Sequence, residues 1–113
     1  MAAIANLTID QGASFSSDVT VKDANGNAFD LTGYTASAKM AKGYSSTRTR
    51  TSLTCTISTP ATSGIVTLAL TADQTTSLED GRYVYDLEIL QTSSSTVTRV
   101  IEGIITVRPQ VTT

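Results

Sequence analysis

The chain has no histidine, no tryptophan and a single cysteine among its 113 residues. Without histidine there is no imidazole base, no imidazole zinc ligand, and no Ser–His or Cys–His nucleophile pair. One thiol cannot close an internal disulfide or build a cysteine zinc site, so nothing calls for an oxidising compartment. Cys55 falls in the alternation Leu53-Thr54-Cys55-Thr56-Ile57 and reads as a small buried hydrophobe on the face of Leu53 and Ile57. Charged residues make up only 16%, below the quarter usual for globular domains, and the net charge is −2. No basic excess is available to neutralise phosphates, so nucleic acid is not an expected partner. Arg48 and Arg50 are the one close basic pair, in a Thr/Ser-rich stretch that reads as a solvated rim. No glycine-rich phosphate loop is present. No apolar run reaches the roughly 20 residues of a membrane helix, and MAAIANLTIDQG lacks the basic and long apolar regions of a secretory leader. We therefore expect synthesis in a cytoplasm.

What the chain does have is hydroxyls, 21 Thr and 13 Ser, the first favoured on half-exposed pleated surfaces by its stiff branched Cβ. Short runs of alternating character recur about every ten residues between turn signals. Residues 4–9 and 14–22 read as the first strands. Asp23-Ala24-Asn25-Gly26-Asn27 signals a hairpin, with residues 28–31 pairing back. Strands are expected over 34–40 (Ala36, Ala38 and Met40 inward), 49–58 and 65–70 (Val66, Leu68 and Leu70 inward). Two more follow over 82–91 and 96–107, with Pro109 ending the last. Gly103, inside that strand, predicts a bulge, a close backbone approach, or the point where the strand changes neighbour. The expectation is one all-β domain over 1–113, a sandwich of seven or eight antiparallel strands, with extended arms at 1–6 and 109–113.

The densest signal lies in residues 71–89. Thr71 and Gln74 have the spacing of a capping box, predicting a short helical turn over 72–78 that Leu78 closes. Glu79-Asp80-Gly81 breaks the turn, and Tyr83, Tyr85, Leu87 and Ile89 then line one face of a strand. Tyr83, two residues after Gly81, resembles the tyrosine corner of immunoglobulin-like sandwiches, its hydroxyl returning to the backbone. Thr71, Gln74, Leu78, Gly81 and Tyr83 are thus read as a structural corner.

Carboxylates are the remaining chemical candidates. Asp86 and Glu88 share one strand face, and Asp73, Glu79 and Asp80 surround the helical turn. Catalysis by paired carboxylates needs them to flank a cleft, which so small a sandwich scarcely offers, so structural or solvated roles are expected. Asp73 suits the positive end of the helix dipole. Asp23, Asn25, Asn27 and Asp30 have the oxygen ligands of a calcium site, but a turn accounts for the same residues. The expectation is no enzyme, no cofactor and no metal.

Several segments together resemble the small immunoglobulin-like virion structural proteins of tailed phages. They are GNAFDLTGYT (26–35), GIVTL (64–68), LTA (70–72) with Leu78, GRYVYDL (81–87), and the closing 97–107 around Glu102-Gly103. The N-terminal domain of siphophage upper baseplate proteins is similar. The likeness spans residues 8–108, and its motifs define a fold rather than a chemistry. It implies a non-enzymatic subunit in the virion that acts by protein–protein contact with tail, baseplate, fibre or capsid proteins. In baseplate relatives a helix and a receptor-binding or fibre-docking part follow; here Thr113 is the last residue, which favours a repeated standalone subunit over direct receptor binding. A tail, baseplate or fibre-attachment adaptor is the first expectation and a capsid decoration or cement protein the alternative. Many copies or a homo-oligomer, without nucleic acid or membrane, go with either. A carbohydrate or cell-surface module would need exposed aromatics, and Tyr44 is the one expected to be exposed. Candidate contacts are Ile4, Tyr44, Arg48, Arg50 and Val111, with the loops at 43–47 and 92–95. Edge strands of such a domain could also accept a strand from a neighbour.

Overall fold

The computed structural model describes residues 3–43 and 50–111, which form eight strands, one 3₁₀ turn and one short α-helix. In chain order the strands are β1 (Ala3–Ile4), β2 (Leu7–Asp10), β3 (Phe15–Thr20), β4 (Tyr34–Ala41), β5 (Thr51–Ile57), β6 (Ile65–Leu70), β7 (Gly81–Gln91) and β8 (Thr96–Arg108). Helix α1 (Ala72–Thr76) joins β6 to β7. They hydrogen-bond along the path β1-β8-β7-β4-β5-β6-β3, with β2 also on β8. The turning point is β5: its first half pairs with β4 and its second half with β6. The sheet curls there, so that Val19, Val66 and Leu68 of β3 and β6 share one core with Leu87, Ile89 and Ile105 of β7 and β8.

The alternation behind each strand is realised in the burial. Val66, Leu68 and Leu70 are buried along β6, and Tyr83, Tyr85, Leu87 and Ile89 along β7. Ala38 and Met40 of β4 point inward as expected, and Ala36 is partly buried against the same core. Cys55 is half-buried beside that core, and burial pushes its thiol above the ordinary range. A single register shift interrupts the β7–β8 ladder, where Leu87 faces Ile101 and Glu88 faces Arg99.

Three expectations are corrected. The strands are not all antiparallel: β1 and β2 run parallel to β8, in one register from Ala3↔Ile101 to Asp10↔Arg108. Alternation is the same in both orientations, so local sequence carries no sign of it. Residues 28–31 do not form a strand. They make one bridge, Lys22↔Ala28, and a bond from Phe29 N to Val21 O, after which buried Leu31 plugs the core. Finally, residues 3–6 of the expected N-terminal arm lie along β8 of their own domain, where Ala5 N donates to Glu102 O at 3.0 Å.

Gly103 explains the break between β1 and β2. A Cβ there would collide with the carbonyl oxygen of Ala5, so only glycine lets the two backbones approach. The ladder is completed by side chains instead. Asn6 Oδ1 accepts from Ile104 N at 3.1 Å, and the Tyr85 hydroxyl donates to Ala5 O at 2.6 Å. The expected change of neighbour thus occurs opposite Gly103, and the bulge lies elsewhere, beside Val100.

Candidate interaction surface

The corner residues come together as one unit. Thr71 Oγ1 accepts from Gln74 N at 3.2 Å, and Gln74 Oε1 accepts from Thr71 N at 2.8 Å, a complete capping box. Leu78 is buried, and its carbonyl accepts from Gln11 Nε2 at 2.7 Å. Gly81 has φ +126°, a conformation that side chains rarely adopt, and it lets the chain turn directly into β7. The Tyr83 hydroxyl donates to Glu79 O at 2.9 Å. Lys42 covers the ring at 5.2 Å while donating to Asp80 O at 2.9 Å. Burial, with Glu79 and Asp80 nearby, raises the phenol's pKa against the opposing effect of that hydrogen bond.

Sequence reasoning missed Thr75, the hub of this corner. Its fully buried hydroxyl is shared between Ala13 O (2.9 Å) and Ala72 O (3.0 Å) as acceptors, and takes Gly12 N at 3.1 Å. It thereby ties α1 to the β2–β3 turn. The available signal was a Thr one turn after the N-cap, with Leu78 three residues further on.

The acidic candidates fall into separate settings. Asp86 pairs across strands with Arg99 at 3.3 Å, and Arg99 also reaches Glu102 at 4.0 Å. Asp86 and Glu88 of β7, with Ser37 and Lys39 of β4, line an open hollow of about 370 Å³ that Arg50 also borders. Asp23 accepts from Asn25 N and Asn27 N at 2.9 and 3.0 Å, closing a turn. Asp30 accepts from the Thr32 hydroxyl at 2.6 Å and from Thr32 N at 3.0 Å, which holds its carboxyl below the usual range. Among the described residues no group of three or more acidic, cysteine or histidine side chains is placed to hold a metal ion.

The predicted contact residues are dispersed. Ile4, on β1, is 76% exposed, and Val111, beyond the end of β8, is 95% exposed. Arg50 is exposed beside the charged hollow. Tyr44 and Arg48, with most of the 43–47 loop, lie outside the described residues. Residues 92–95 form an exposed turn between β7 and β8, tied to Gly33 through Thr92. What the fold does create is a pair of sheet edges, β1–β2 at one end of the path and β3 at the other, bordering a common groove of about 450 Å³.

No protein-family model and no curated protein matches the chain. Among solved structures it is similar to the filamin domain of Lin-41, at 19% identity over 89% of this chain and 82% of that one, with a TM-score of 0.47. It is also similar to Listeria monocytogenes InlP, at 15% identity over 92% of this chain and 26% of that one, with a TM-score of 0.48.

Proposed function

We propose that this chain is an immunoglobulin-like β-sandwich serving as a non-enzymatic virion structural protein of a tailed phage. It acts through protein–protein contact as a tail, baseplate or fibre-attachment adaptor. The observation that carries the reading is the job done by the segment resembling those phage domains. Within GNAFDLTGYT, Asp30 anchors Thr32, Leu31 plugs the core at 1% exposure, and Tyr34 meets Phe29 edge-on at 5.4 Å. The motif therefore sets the crossing from β3 to β4, a fold-defining role that suits a scaffold. A sandwich is supported by the two halves of the curled path, β1–β2, β8, β7 and β4 against β6 and β3, closed by a tyrosine corner. Its low charge and abundant hydroxyls suit a surface packed among neighbours.

Capsid decoration is the second reading within the same class. Quantitative mass spectrometry of purified particles separates the two. Copies in the tens or fewer per particle are expected for an adaptor, and on the order of hundreds for a decoration protein. Particles lacking the protein would overturn both.

A further inference from the structure

The groove between the two sheet edges has the chemistry of a missing strand. Ile4 and Leu7 form one wall, Val19 and Thr20 the other, and Val100 and Ile101 the floor. Val21 N bonds Gly64 O at 2.7 Å, so the two-residue alternation of the antiparallel ladder turns Val19 toward β6. The main-chain groups of Asp18 and Thr20 therefore point away from β6, to the open side. In the same way Ala5 N bonds Glu102 O, which turns Ile4 away from β8. Among the described residues no strand pairs with either row. Two rows of main-chain donors and acceptors thus border one apolar floor, and an extended peptide is the ligand that pairs with such rows.

The rim adds a charge pattern. Asp18 and Lys22 lie on the same side of the β3 line, four residues apart, and both border the groove. Asp18 accepts from Thr67 Oγ1 at 2.7 Å, and neither residue has an ion pair among the described residues. Opposite charges directly across a strand pair stabilise it, and like charges oppose it.

We infer that this groove is a strand-acceptor site for an extended segment of another protein, apolar at alternate positions, with a basic residue opposite Asp18 and an acidic one opposite Lys22. The inference rests on the reading that the chain works by protein contact, and it specifies where and by what chemistry.

The test uses the full chain and a pool of synthetic peptides alternating Val, Ile or Leu with Thr or Ser, with one Lys and one Glu four positions apart. A control pool carries Glu at both positions. At about 1 mM peptide, amide exchange at Asp18 and Thr20 should slow about tenfold with the first pool and little with the second. Asp18→Lys should reverse that preference. Thr20→Pro removes an outward N–H at an edge where proline is tolerated, so it should abolish the protection while leaving the thermal midpoint nearly unchanged. No slowing with the first pool overturns the inference, as does protection that survives Thr20→Pro or ignores the charge reversal. Protection that appears on raising protein concentration alone would assign the groove to a second copy and overturn the foreign segment. Each of these failures leaves the particle-composition measurement free to stand or fall separately.

Discussion

Two tyrosine hydroxyls hold this domain at its seams. Tyr83→Phe frees the Glu79 carbonyl and should cost about 1–2 kcal/mol in urea denaturation, with the ring still packed under Lys42. Tyr85 is buried, and burial pushes its pKa from 10 up to about 12. For an acid raised in the folded state, the neutral form is the one folding favours. Its contribution is therefore intact below pH 10 and lost as the pH rises toward 12, worth about 2–3 kcal/mol by linkage. Denaturation midpoints measured from pH 9 to 12 should fall more steeply for the natural chain than for Tyr85→Phe. Thr75→Val should cost about 2–3 kcal/mol by orphaning Ala13 O and Gly12 N, whereas Thr75→Ser should retain most of the stability. Tyr83 was legible because its cue is local, Gly81 two residues before it. The partner of Tyr85 was not, since Ala5 lies 80 positions away.

At the level of elements, the N-terminal strand and α1 are the places where single changes should act on a whole segment. Gly103→Ala drives a methyl into the Ala5 carbonyl and should cost about 1–3 kcal/mol, with amide exchange speeding up first at residues 5–9. Thr71→Ala removes one arm of the capping box and should cost about 1 kcal/mol in the same denaturation assay. Strands β6 and β7 could be read from their period of two, and the capping box from two residues at fixed spacing. The loss of the 28–31 strand could not. Phe29 and Leu31 alternate as strand residues do, yet their main-chain bonds go to two different segments: Phe29 N bonds Val21 O, whereas Leu31 N bonds Ala61 O, so no ladder runs through 28–31.

Across the whole molecule, the decisive feature is β5, which belongs to both halves of the curl. It brings the ends of the path, β1–β2 and β3, to one groove, although neither end has an unusual sequence. Of the predicted contact residues, Ile4 and Val111 are exposed, and of the residues along the edge pair the sequence reading named only Ile4 as a contact. Particle composition and peptide-induced exchange protection are the two measurements that bear on this scale.

By itself the sequence determined the β character, the positions of most strands, the inward faces and the corner. These depend on alternation, capping and turn chemistry, which act over a few residues. The tertiary structure alone decided that β1 and β2 run parallel to β8, that β5 divides between two neighbours, and that two open edges share a groove. Those outcomes depend on which distant backbone groups find one another, and pleat and alternation are identical whichever partner or direction a strand takes.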